Sequence, residues 1–109
     1  MPKVNFQQIF DNLKNEAGNL ALSTFKDYKN EAKTDALKLV EDMKENLETW
    51  TLQLANGKLS KDDFEFLVLG QKELIEMNAL KQAGLALIKA DEFKTSLLNL
   101  ITNTITGLL

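Results

Sequence analysis

Leu54-Ala55-Asn56-Gly57-Lys58-Leu59-Ser60-Lys61-Asp62-Asp63-Phe64 divides the chain, and its reading decides the fold. Gly57 can take positive φ, which suits the residue just past a helix C-terminus. Ser60 then stands before Lys61-Asp62-Asp63 as an N-cap, with acids in the first turn where the helix dipole favours them. Leu59, just ahead of that cap, is placed to staple onto Phe64. Asn-Gly also marks β-hairpins, but the flanks lack the alternation that strands require. Residues 56–60 are therefore a turn between two helices, and a link this short makes them antiparallel neighbours.

Working back from the turn, residues 5–55 read as helix. Phe6, Ile9, Leu13, Ala17, Leu20, Thr24, Tyr28, Ala32, Ala36, Leu39, Met43, Leu47, Trp50 and Leu54 recur every three or four positions. The mean step is about 3.7, close to the helical period and longer than a strict heptad. Charges of mixed sign between them, including Asp11, Lys14, Lys33 and Asp35, read as a solvated face. Gly18-Asn19 and the apolar-poor stretch from Asn30 to Thr34 are the weak points, and Thr34 is a possible cap for a new helix.

Working forward, residues 61–106 read as a second helical half, more apolar and less one-sided. Phe64, Leu67, Leu74, Met77, Leu80, Ala83, Leu87 and Ala90 make one stripe, and Phe66, Val68, Leu69, Ile75, Leu85 and Ile88 fall outside it. Gly70 and Gly84 are small residues two heptads apart. Asp91 is a possible cap at a joint near Ala90-Asp91. From Thr95 to Leu109 no side chain is charged.

The expected fold is one all-α domain over residues 1–109: a long antiparallel helical hairpin turning at Asn56-Gly57. Two hairpins would pair into a four-helix bundle dimer, because wet apolar faces of this extent are rare on monomers. The alternative is a compact monomeric bundle with breaks near Gly18–Thr34 and Ala90-Asp91. The hairpin resembles those that pair into four-helix bundles, and architecture does not assign function.

Composition narrows the chemistry. The 109 residues hold 13 Lys and 16 acids, for a formal net charge of −3, and no Cys or His; Pro2 is the only proline. Arginine is absent as well, so the bidentate fork used on phosphates and base edges is missing. Without His or Cys, zinc, haem and iron–sulfur sites lose their usual ligands, and the commonest general base is missing. No basic excess points to nucleic acid. No apolar run reaches the ~18 residues of a membrane span, and the start has no apolar leader, so a cytoplasmic protein is expected.

Each remaining candidate has a plainer reading. Glu41, Asp42, Glu45 and Glu48 are the densest acidic group, with carboxylates a hard cation would accept; a solvated face relieved by Lys38 and Lys44 explains them. Asp62, Asp63 and Glu65 are helix-start acids. Trp50 and Tyr28 are potential interface anchors that also fit the apolar stripe. No spacing pairs a Ser or Thr hydroxyl with a lysine base. The uncharged segment Thr95–Leu109 would suit either a lipid surface or packing against Phe6, Ile9 and Phe10.

These observations lead to an expectation without enzyme activity, cofactor or metal: a helical interaction or scaffold protein that self-associates and presents a surface to a protein partner. The expected surface comprises Phe66, Leu69, Leu85, Ile88, Leu97, Ile101 and Ile105. The alternative is a binder of lipid or an apolar ligand, using the apolar surface of residues 64–109.

Overall fold

A continuous helix over residues 5–55 would run ~76 Å at 1.5 Å per residue. The longest dimension of the computed structural model, which describes residues 5–108, is 47 Å. The first half folds back on itself. Helix α1 (Phe6–Thr24) is followed by an irregular link, then by α2 (Lys29–Asp42) and α3 (Lys44–Ala55). This overturns the single long helix expected before the turn.

Why α1 stops is written in its last residues. The Ser23 and Thr24 hydroxyls both donate to the Leu20 carbonyl, at 3.1 and 2.6 Å. Such local bonds offer the backbone an alternative to the next helical turn. Phe25 then goes extended, at φ −119 and ψ 133. Its ring meets Phe93 edge-on at 5.1 Å and Tyr28 at 6.4 Å. Gly18-Asn19 does not break α1. Gly18 is buried within α1, against the aliphatic stem of Lys33. Ala17 and Ala21 of α1 and Ala32 and Ala36 of α2 are all fully buried. The small residues every four positions, read as one stripe of one helix, let two helices pack closely.

The helix is interrupted for one residue, Met43, at φ −90 and ψ −1. The Met43 N–H still reaches the Leu39 carbonyl at 3.2 Å, and the Leu47 N–H reaches Met43 at 2.8 Å. The turn that follows has the expected devices. Gly57 sits at φ +75. The Lys58 N–H donates to Gln53 O at 2.9 Å and the Gly57 N–H to Leu54 O at 3.2 Å, a Schellman pair that closes the helix end. Ser60 Oγ accepts the Asp63 N–H at 3.0 Å and opens α4 (Lys61–Leu69).

Beyond α4 the structure departs from the expected stripe. The chain tightens into a 3-10 segment (Gly70–Leu74), runs extended at Ile75, forms the short α5 (Asn78–Gln82), and only then enters α6 (Leu87–Leu108). The joint lies at residues 83–86, not at Ala90-Asp91, which are inside α6. Gly84, at φ +94, ends α5 in a second Schellman pair: the Leu85 N–H donates to Leu80 O and the Gly84 N–H to Lys81 O, both at 3.1 Å. Leu74, Ala83 and Leu87, expected to face inward, are exposed because the helix that would align them is interrupted.

Helix α6 closes the molecule. It lies antiparallel to α1, with Phe93 against Phe25 at one end and the Thr104 hydroxyl donating to Glu16 at 2.9 Å towards the other. Counting α2 and α3, separated only by Met43, as one, the described residues form five α-helices and no strand. The core centres on Phe10, Leu13, Leu39, Leu47, Phe64, Phe93, Leu97 and Ile101. The Cα radius of gyration is 14.0 Å, near the ~13 Å typical of a compact chain this long.

Candidate functional site

Two buried charges hold the irregular segment in place. Asp35, on α2, is 3% exposed, and its carboxylate accepts the N–H groups of Ala79 at 2.9 Å and Leu80 at 2.8 Å. Those are the second and third residues of α5, so Asp35 caps a helix more than forty positions away in sequence. Asp35 is thus not part of a solvated face. Lys94, on α6, mirrors it: the ammonium donates to the carbonyls of Lys72 at 2.8 Å and Ile75 at 2.6 Å, with Asp91 at 3.8 Å. A carboxylate binds amides on one side of Met77 and an ammonium binds carbonyls on the other. Charge-assisted bonds of this kind are stronger than neutral ones. Both residues are used up in holding backbone.

Among the described residues, the other charges lie at or near the surface. Glu41 pairs with Lys14 at 2.8 Å, tying α2 to α1. Its hydrogen bond from Lys14 holds the Glu41 carboxyl below the ordinary glutamate range, and the same bond holds the Lys14 ammonium above the ordinary lysine range. Lys14 and Lys44 lie over the Phe10 ring at 5.8 and 5.1 Å. Asp42, Glu45 and Glu48 are exposed, and among the described residues no three carboxylates converge as metal ligands would. No helix among them is long and apolar enough to cross a membrane. Trp50 and Tyr28 are half-buried against the core.

The Thr51 and Thr102 hydroxyls are buried and have no hydrogen-bond partner in the protein. A groove of about 420 Å³ runs between the α1–α2 link and the start of α6, lined by Phe25, Tyr28, Leu85, Lys89, Phe93 and Ser96. Its lining mixes three aromatic rings with charged side chains, Lys26, Asp27 and Glu92 among them, and it is open to solvent.

The apolar surface is the strongest feature. Phe66 is 76% exposed, Leu74 75%, and Leu87 and Ile88 67% each. All four follow Gly57. Of the residues expected to form an interaction surface, Phe66 and Ile88 are exposed, and Leu69 and Leu85 are half-buried against the core. Leu97, Ile101 and Ile105 are fully buried, on a helix that packs against α1 and α4 of the same chain. Leu74 and Leu87 were not foreseen at the surface, because both fit the stripe of an unbroken helix. Only the breaks on either side of α5 turn them outward.

The fold places this chain in the all-α class, a globule of five helices, with exposed apolar side chains as its distinguishing surface. Comparison with models of known families, with curated proteins and with solved structures finds no match to it.

Proposed function

We propose that this chain is a non-catalytic helical interaction protein that offers the apolar surface after Gly57 to a protein partner. The observation that carries the reading is the exposure of Phe66, Leu74, Leu87 and Ile88 on a chain that has already closed its own core. Burying one such side chain is worth roughly 1.5–3 kcal/mol. Polar side chains at these positions would serve folding equally well, so their apolar character is available for binding. Of the surface expected to serve self-association, Leu97, Ile101 and Ile105 are covered within the chain, and Phe66 and Ile88 are left for a second copy or another protein.

The test is a photo-crosslinking amino acid placed at position 66, 74 or 88, with positions 38 and 48 as controls. Protein adducts at the first three and none at the controls are expected. Adducts spread evenly over all five positions, or none at any, would sink the reading. Sedimentation mass of the purified chain distinguishes a second copy from another protein as the partner.

The groove at Phe25, Tyr28, Leu85 and Phe93 supports a second reading, binding of a small apolar ligand with Lys89 at the rim. A fatty-acid titration followed by NMR should then shift Tyr28 and Phe93 ring signals; unmoved signals reject it.

A further inference from the structure

The net charge of the chain is not spread over its surface. Residues 61–76, which are α4, the 3-10 segment and the two residues after it, hold Asp62, Asp63, Glu65, Glu73 and Glu76 against Lys61 and Lys72. That is a net charge of −3, the formal charge of the whole protein, so the remainder balances to zero. All five carboxylates are exposed. Phe66 and Leu74, the two most exposed large apolar residues among those described, stand among them in sequence. Asp62 and Asp63 lie one helical turn before Phe66, where side chains are neighbours.

Gly70 adds a second observation. It lies one turn after Phe66, is exposed, has a helical φ of −62, and a Cβ built on it would meet nothing within 4 Å. Neither conformation nor space requires glycine there, and alanine would favour the helix by about 1 kcal/mol. What glycine leaves is bare backbone one turn after Phe66 and one 3-10 turn before Glu73, where another chain can approach closely.

We infer that the outward side of α4 and the 3-10 segment docks a basic, amphipathic helical segment of a partner protein. The apolar side chains of that segment seat on Phe66 and over the bare backbone of Gly70, and its lysines or arginines face the carboxylates, Glu73 among them. Charge decides between occupants. A second copy docking through the same patch would set two faces of −3 against each other. An anionic membrane surface is repelled for the same reason. The inference rests on the interaction reading and names the partner's chemistry.

The test uses the full chain and three labelled 18-residue helical peptides of identical leucine pattern, with Lys, Gln or Glu on the polar face, followed by fluorescence anisotropy. The Lys peptide is expected to bind most tightly. Its affinity should fall as added salt shortens the Debye length from ~30 to ~3 Å. Phe66→Ser and Glu73→Lys should each weaken it about tenfold, and Glu48→Lys, the same charge change on α3, less than about twofold. Gly70→Leu covers the bare backbone without touching the core; it should keep or raise thermal stability and still weaken the Lys peptide about tenfold. Equal binding of the Lys and Gln peptides, lost on Phe66→Ser, overturns the basic partner and leaves the interaction reading standing. Lys-peptide binding unchanged by both Phe66→Ser and Gly70→Leu overturns the site. A sedimentation mass of two chains that drops to one in Phe66→Ser overturns it in favour of self-association.

Discussion

Removing the Asp35 carboxylate would leave the N–H groups of Ala79 and Leu80 without their acceptors in a part of the molecule where water is scarce. Asp35→Ala is therefore expected to lower stability by about 2–3 kcal/mol, and Asp35→Asn, which keeps one acceptor, by less. Urea unfolding checks this as a fall in midpoint at unchanged slope. Thr51 makes the opposite case. Its hydroxyl is buried without a partner, so the desolvation penalty of ~1–3 kcal/mol is not offset by a bond. Thr51→Val keeps the branched shape and should raise the thermal midpoint; a lowered midpoint would show that the hydroxyl is satisfied in solution. Neither role is legible from sequence. Asp35 sits among charges of both signs, and Thr51 beside Trp50, with no local pattern to set them apart.

At the scale of elements, two glycines that look alike in sequence do opposite things. Gly84 ends α5 at φ +94, where a Cβ is strained, so Gly84→Ala should destabilise by about 1–2 kcal/mol. Gly70 lies in helical backbone with open space around it, so Gly70→Ala should stabilise by about 0.5–1 kcal/mol. Thermal melts of the two variants should move in opposite directions; movement in the same direction would falsify the assignment of the α5–α6 joint. A glycine followed by a run that restarts at Leu87 was a signal for that joint, as Gly57 was for the turn at Asn56. It was masked because the apolar residues on both sides keep helical spacing. In the same way Ser23-Thr24 ahead of Phe25 marks the end of α1, and the four alanines at 17, 21, 32 and 36 mark two close-packed helices. Each signal is weak alone, since apolar spacing continues across both breaks.

For the whole molecule, the regular helices and the segment around α5 differ in what holds them. α1, α2 and α6 bury continuous apolar faces, whereas the chain between Gly70 and Ala86 depends on Asp35, Lys94 and the few side chains it buries, Met77 and Leu80 among them. Local opening follows such differences in buried contact. Amide exchange is expected to be faster across residues 70–86 than in α1 or α6, with Asp35→Ala speeding the segment further and α1 much less. Uniform exchange across both regions would instead place the segment inside the main cooperative unit. The all-helical class, the turn at Asn56-Gly57, its Schellman closure and the Ser60 cap follow from the sequence alone, because caps and positive-φ glycines are local and act within a few residues. The fold-back at Phe25, within the Gly18–Thr34 stretch where the alternative allowed a break, and the break around α5 have only weak local signals in Ser23-Thr24 and Gly84, and tertiary structure decided them together with the exposure of Leu74 and Leu87. They depend on contacts between residues far apart in the chain, Phe25 with Phe93, Asp35 with Leu80 and Lys94 with Lys72, whose free energy outweighs the local preference to continue a helix.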